Sequence, residues 1–574
     1  MANVDDEVPD PSPEAAPPSR MVVVSNRLPV VLTPVDEEGW TVEPGAGGLV
    51  TALEPVLQRI AGTWVGWPGV DVRQVEEVQE LLDRGSGDRG FEVRAIGLSP
   101  EEEERFYLGF ANQVIWPLFH GFPERCRFQE EFWDCYLDVN GRFADGIVDE
   151  LEGEDLIWVH DYHLMGVAKA LRERGVRQPI CFFLHTPMPT LDVFRKLPWR
   201  LALLESLLEH DLVGFHTERD RENFLHAVRC LLPDEAVERE GSLVRVGDGS
   251  RTARVGVFPI SIDAREFAET AATEGVRLHA LRLRQALPGF VDEDPDSHLM
   301  LLGVDRLDYT KGLPQKLRAY QTMLRRHPEM LGRVTLVQLV VPSREDIPLY
   351  EALKDEVDQL VGEISGEFSQ ENWSPIRYEY GQWAREKLLA HYRAARVALV
   401  TPLQDGMNLV SKEFCASSVD GDGVLVLSEH AGSASQLHSG AILVNPYHEE
   451  ELAEAMHRAC TMGAAERKRR MSKLRQIVAS QDIHWWTDSF LKAARGDRSR
   501  RERRWPRPQA SRSDPVVGLS PLARGLRSHS APGEPGAAAP GGGDDEPEGS
   551  GGPSTLPFRL GTSGTRAGDG HGYE

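Results

Sequence analysis

One pattern recurs along the chain and constrains its fold more than any other. A short apolar run stops abruptly at charged or polar residues, and a helical stretch follows. Met300–Val304 (MLLGV) shows it best: Asp305–Gly312 breaks the run, and Leu313–Arg326 then carries apolar residues at helical spacing. Runs this short and apolar suit strands buried on both faces of a parallel sheet. In such strand–loop–helix units, ligands bind outside the carboxyl end of the strand, beside the helix N-terminus. The same order holds at Met21–Val24 before Ser25-Asn26-Arg27, Leu156–Val159 before His160-Asp161-Tyr162-His163, Ile180–Leu184 before His185, and Leu212–Phe215 before His216. It returns at Val334–Val341 before Pro342-Ser343-Arg344, at Val397–Val400 before Thr401–Leu409, and at Val424–Leu427 before Ser428-Glu429-His430. Val255–Ile262 reads as the passage between the two series. The fold class is therefore α/β, with two doubly wound sheets.

A chain of 574 residues is too long for one core. The expected organisation is a first domain over 20–258, a second over 259–470, and a final helix over 471–496 that crosses back to the first. A Pro-, Asp- and Glu-rich extension (1–19) and a Gly-, Pro- and Ser-rich tail (497–574) should be disordered. A formal net charge of −26 argues against nucleic acid as a partner, though local cations still decide whether an anion binds. No apolar stretch reaches membrane-spanning length, and the N-terminus lacks the order of a signal peptide. The six cysteines are scattered without CxxC spacing, so neither a disulfide framework nor a zinc site is indicated and a cytoplasmic location is expected.

Candidate site residues follow from the strand ends. Arg306 and Lys311, beside a helix N-terminus, suit a phosphate or a diphosphate leaving group. The amides of Asn408, Leu409 and Val410 would face an anion. Glu413, one turn on, suits either two vicinal ribose hydroxyls or simple compensation of the helix dipole. Pro44–Leu49 is a glycine loop containing Gly47 and Gly48. It is neither GxGxxG nor a P-loop, so a phosphate cradle and a plain tight turn both fit. Phe106–His120 is rich in aromatics, most of which belong in a core, but Tyr107 and Trp116 lie among polar breaks and could face a sugar. His160 and His163 lack a third metal ligand nearby, and Asp161 is the better candidate, for binding hydroxyls. Asp420-Gly421-Asp422-Gly423 precedes its strand rather than following one, and reads as a turn.

Taken together, these segments resemble the trehalose-6-phosphate synthase family. The matching motifs are VVVSNRLP, GGL, Tyr107 with Trp116–His120 (WPLFH), VHDYHL, FFLHTPMP, GVDRLDYTKGLP, PSR, TPLQDGMNLVSKEF and ILVNPY, between about Arg20 and Phe490. The resemblance implies a GT-B fold of two Rossmann-like domains across a cleft. It implies a retaining glucosyltransferase that needs no cofactor and no metal for chemistry. Glucose would move from a nucleotide diphosphate glucose, UDP-glucose first, to glucose 6-phosphate, with UDP, GDP and ADP left open. Carried over residue by residue, Arg306 and Lys311 grip the diphosphate, and Glu413 holds the ribose. Leu409 and Val410 offer amides, Trp383 lies near the base, and Asp405 and His185 fix the donor glucose. Arg27, Tyr107 and Arg344 bind the acceptor phosphate, Trp116 and Asp161 its sugar, and Gly47-Gly48 is a loop closing over the donor. Gln404 and Met188 depart from the family, which commonly has Arg and Phe there. The partners implied are small-molecule substrates and a separate trehalose-6-phosphate phosphatase acting downstream, with no fused phosphatase domain and with self-association open. Two alternatives remain: another acceptor, such as glycerol 3-phosphate or a cyclitol phosphate, and a non-catalytic sugar-phosphate sensor.

Overall fold

In the computed structural model the described residues are 20–495, less 36–38, 46–47, 61, 86–88, 248–250, 295 and 345–346. The expected extension, 1–19, and tail, 497–574, lie outside them, as does Gly47. The first half contains strands β1 (Met21–Arg27), β2 (Val30–Val35), β3 (Gly39–Pro44), β4 (Thr63–Trp67), β5 (Glu92–Ala95) and β6 (Leu156–His160). It continues with β7 (Ile180–Phe183), β8 (Leu212–Phe215), β9 (Ala236–Glu240), β10 (Leu243–Gly247) and β11 (Ala253–Val257). Nine of these form one sheet in the order β5-β4-β1-β6-β7-β8-β11-β10-β9, parallel except where β10 turns back on β11 and β9, while β2 and β3 make a separate hairpin. The second half supplies β12 (Leu299–Arg306), β13 (Val334–Val341), β14 (Ile376–Tyr380), β15 (Val397–Val400), β16 (Val424–Ser428) and β17 (Ile442–Val444). Their order, β14-β13-β12-β15-β16-β17, is parallel throughout.

Counted within its own half, each sheet reads 3-2-1-4-5-6 through its first six sheet strands, the Rossmann order. The runs that looked like two-faced buried strands are so: Met21–Val24, Leu156–Val159 and Leu301 are 0–5% exposed. The order reverses between β1 and β6 in the first sheet and between β12 and β15 in the second, and loops leaving neighbouring strands there diverge to opposite faces and open a crevice.

Two sequence expectations shift. β11 belongs to the first sheet through Val257, so the passage between halves starts at Phe258, and Asp263 caps the next helix by accepting from the Glu266 amide at 2.8 Å. The crossing helix expected over 471–496 is shorter, Ile483–Arg495. The helix before it, Ala464–Ser480, keeps Met471, Leu474 and Val478 in the core of the second sheet. After the break, Trp486 and Phe490 lie on Trp158 of β6, with ring centroids at 5.2 and 4.3 Å. Trp486 Nε1 donates to the Phe258 carbonyl at 3.1 Å, tying the helix to the passage itself. No helix among the described residues is long and apolar enough to cross a membrane.

Candidate active site

The strand-order reversal of the first sheet opens on a cavity of about 630 Å³, to which the second sheet contributes Arg306 from the end of β12 and Arg344 from the loop after β13. Arg27, Tyr107, Trp116, Asp161, Arg306 and Arg344 all line it, although they come from five separate stretches of chain. Arg27 ends β1, where its guanidinium stands 3.8 Å from the Trp67 ring centre and 5.4 Å from that of Tyr107. Arg344 follows β13 and lies over Trp116 at 4.0 Å, while Arg306, ending β12, is 5.8 Å from the same ring. Arg344 is held by Asp308 at 3.0 Å and by the Tyr350 hydroxyl at 2.7 Å. Neither Arg27 nor Arg306 makes an ion pair among the described residues, although both face the cavity. The indole Nε1 of Trp116 is buried with no hydrogen-bond partner.

Asp161 follows β6, and its Oδ1 accepts from the His185 amide at 3.2 Å. Burial pushes its carboxyl up to about 6, against the pull of backbone donors and Arg344. His185, at the end of β7, stands 3.1 Å from His160 through their ring nitrogens, and burial lowers it to about 3, so it is neutral at physiological pH.

On the second sheet, Lys311 donates to Asp405 Oδ2 at 2.6 Å, and Asn408 Nδ2 donates to the same oxygen at 3.1 Å. Burial opposes charge on Asp405, but Lys311, His120 and Asn408 together outweigh it and hold the carboxyl below the usual range. The Asn408 side chain caps helix Leu409–Ser417 by accepting from the Ser411 amide at 3.1 Å. The N–H groups of Leu409 and Val410, in the first turn, have no intrahelical acceptor to take. Glu413 accepts from the Tyr392 hydroxyl at 2.8 Å, and burial raises its carboxyl. The loop carrying Asp405 is pressed against the first half: a Cβ on Gly406 would lie 2.1 Å from the His185 carbonyl oxygen. Only glycine fits there.

Three non-glycine residues of the described chain have positive φ, and all three belong to this site: Asp161 (71°), Arg344 (51°) and Asn408 (74°). Each costs about 1–3 kcal/mol, strain that persists only where the surroundings over-determine it.

The structure thus brings Arg27, Tyr107, Trp116, Asp161, Arg306 and Arg344 around the cavity, and joins Lys311, Asp405 and Asn408 in one hydrogen-bonded group. His185, Lys311, Trp383, Asp405, Asn408, Leu409, Val410 and Glu413 are not in the lining of this cavity; Trp383 is 8% exposed and stacks on His391 at 3.9 Å. Gly48 opens helix Gly48–Ile60. Met188, one of the family departures, is buried at 2% exposure, and Gln404 takes a backbone bond to the Thr310 carbonyl at 3.4 Å. Sequence reasoning missed Asp308, Tyr350 and His120. Asp308 and Tyr350 hold Arg344, and His120 stacks on Trp116 at 4.1 Å. Asp308 and His120 stood inside the matched motifs, but nothing in their spacing says that they act on other side chains.

Two Rossmann-ordered halves that share a cation-lined cavity have the architecture of GT-B glycosyltransferases. The model of glycosyltransferase family 20 matches residues 19–495, and the chain belongs to that family. It is 38% identical over 480 residues to the UDP-forming alpha,alpha-trehalose-phosphate synthase of Candida albicans, covering 82% of this chain and 96% of that one. It is 39% identical over 482 residues to the trehalose-6-phosphate synthase of Mycobacterium tuberculosis, covering 83% and 95%. It also spans 64% of the bifunctional synthase/phosphatase of Thermoproteus tenax, at 39% identity over 498 residues. Among solved structures, it resembles an alpha,alpha-trehalose-phosphate synthase from Burkholderia xenovorans in complex with glucose-6-phosphate. That match has a TM-score of 0.72 at 33% identity, covering 83% of this chain and 100% of the other. Another match is described as trehalose-6-phosphate from E. coli bound with UDP-2-fluoro glucose, with a TM-score of 0.72 at 35% identity, covering 83% and 99%.

Proposed function

We propose that the chain transfers glucose from UDP-glucose to the anomeric hydroxyl of glucose 6-phosphate, giving alpha,alpha-trehalose 6-phosphate and UDP with retention of configuration. The observation that carries this reading is the cavity on which Arg27 and Arg306 converge from different halves without ion-pair partners. Two phosphates, one from each substrate, would pair with these cations. The first half, with Arg344 reaching over from the second, takes the acceptor: Arg27, Tyr107 and Arg344 hold its phosphate, Trp116 and Asp161 its ring hydroxyls. The second half takes the donor: Arg306, Lys311 and the Leu409 and Val410 amides hold the diphosphate, Glu413 the ribose, Asp405 and His185 the glucose, and Trp383 flanks the base pocket.

In the reaction, the bond from C1 to the β-phosphate oxygen breaks and the acceptor oxygen bonds to C1 on the same face. The proton of the attacking hydroxyl passes to the departing phosphate. No protein nucleophile is needed; Arg306 and Lys311 stabilise the charge that grows on the leaving group. These cations supply what a metal would otherwise supply, so turnover should survive EDTA. The phosphate ester leaves intact, and a separate phosphatase would consume it. Six cysteines scattered without CxxC spacing fit a cytoplasmic location.

An end-point assay with glucose 6-phosphate and UDP-, GDP- or ADP-glucose, read by product mass, tests the reading. It expects a disaccharide phosphate, formed fastest from UDP-glucose. Nucleoside diphosphate release without disaccharide would overturn it.

A further inference from the structure

We propose that His327, Glu329 and His457 form a surface site for a borderline divalent cation, zinc before others, that clamps the end of helix Leu313–Arg326 to helix Glu449–Thr461. The site is remote from the chemistry. Lys311 precedes the N-terminus of the first helix and His327 follows its C-terminus, about 20 Å away along the axis.

Glu329 Oε1 stands 3.4 Å from His327 Nδ1 and 3.3 Å from His457 Nε2. Ligand atoms about 2.0–2.1 Å from a tetrahedral zinc are about 3.3–3.4 Å from one another, so these spacings match two edges of such a site. Two imidazoles and one carboxylate form a zinc donor set, with the fourth position left to water. The other nitrogen of His327, Nε2, is 3.2 Å from both carboxylate oxygens of Glu454, which also pairs with Arg326 at 3.6 Å. A carboxylate behind a histidine fixes the tautomer that presents the opposite nitrogen to a metal. The two rings stack at 3.6 Å with planes 3° apart, so a shared ion lies in neither plane until they open. Their side chains are 18% and 23% exposed.

The test uses the full chain stripped with EDTA and titrated with zinc chloride by calorimetry, with cobalt(II) absorption reporting the geometry. One equivalent should bind, raise the thermal midpoint and give a tetrahedral cobalt spectrum. His327→Gln/His457→Gln should abolish all three signals while leaving turnover unchanged, which also shows that the variant folds. Glu454→Gln removes no ligand and should weaken zinc about 10–100-fold. Zinc affinity unchanged in the double histidine variant, or no stoichiometric binding to the parent chain, would overturn the proposal.

Discussion

Asp161 combines two costs, a φ of 71° and a carboxyl that burial raises from 3.8 to about 6. Because the folded value is the higher one, the folded chain keeps a proton that the unfolded chain has already released across this window. The associated stability is present below pH 3.8 and is lost as pH rises through about 6. Binding runs the other way, because the ionised carboxylate accepts from sugar hydroxyls through both oxygens and more strongly than the protonated acid. KM for glucose 6-phosphate should therefore rise about tenfold between pH 7 and pH 5, and Asp161→Asn should abolish the difference beyond the titration of the substrate itself. Lys311→Met leaves Asp405 buried without its cation and removes a charge from the leaving-group side. Steady-state kinetics should show kcat lower by about 10²–10³. Residues such as Arg27, Arg306 and Arg344 were legible because a cation directly after a buried strand has few other uses. Asp308 and Tyr350 were not, since they act by holding Arg344, and a contact between side chains 36 or 6 positions apart leaves no local pattern.

At the scale of elements, eight buried strands could be read from apolar run length, but the order of strands in each sheet, the more exposed strands and the helix limits and types could not. Glu103–Ile115, which carries Tyr107, winds as a π-helix, and no spacing of its aromatics foretold that. The final helix was placed too early because Met471–Val478 and Ile483–Phe490 are both amphipathic. What separates them is which sheet each stripe meets, a tertiary fact. Phe490→Ala should cost about 3–5 kcal/mol in equilibrium unfolding, since its ring is fully buried on Trp158. Gly406→Ala should fold but push the Asp405 loop off His185. A displacement of about 1 Å there should lower kcat by about 100-fold, with little change in the far-ultraviolet spectrum.

For the whole molecule, the consequential fact is that two copies of one strand order face each other. In the proposed function each half takes one anionic substrate, and the cavity lined from both halves is where the two would meet. The chain's formal net charge is −26, so the attraction of phosphates rests on the cations lining the cavity and should persist at moderate salt. The division of labour between the halves is the central claim, and paired calorimetric titrations of Arg27→Ala and Arg306→Ala test it most directly. Each substrate's affinity is measured with the other site filled by UDP or by glucose 6-phosphate. The account predicts that Arg27→Ala weakens glucose 6-phosphate by about 10–100-fold and leaves UDP unchanged, with the reverse for Arg306→Ala. Equal weakening of both ligands by either variant would contradict it.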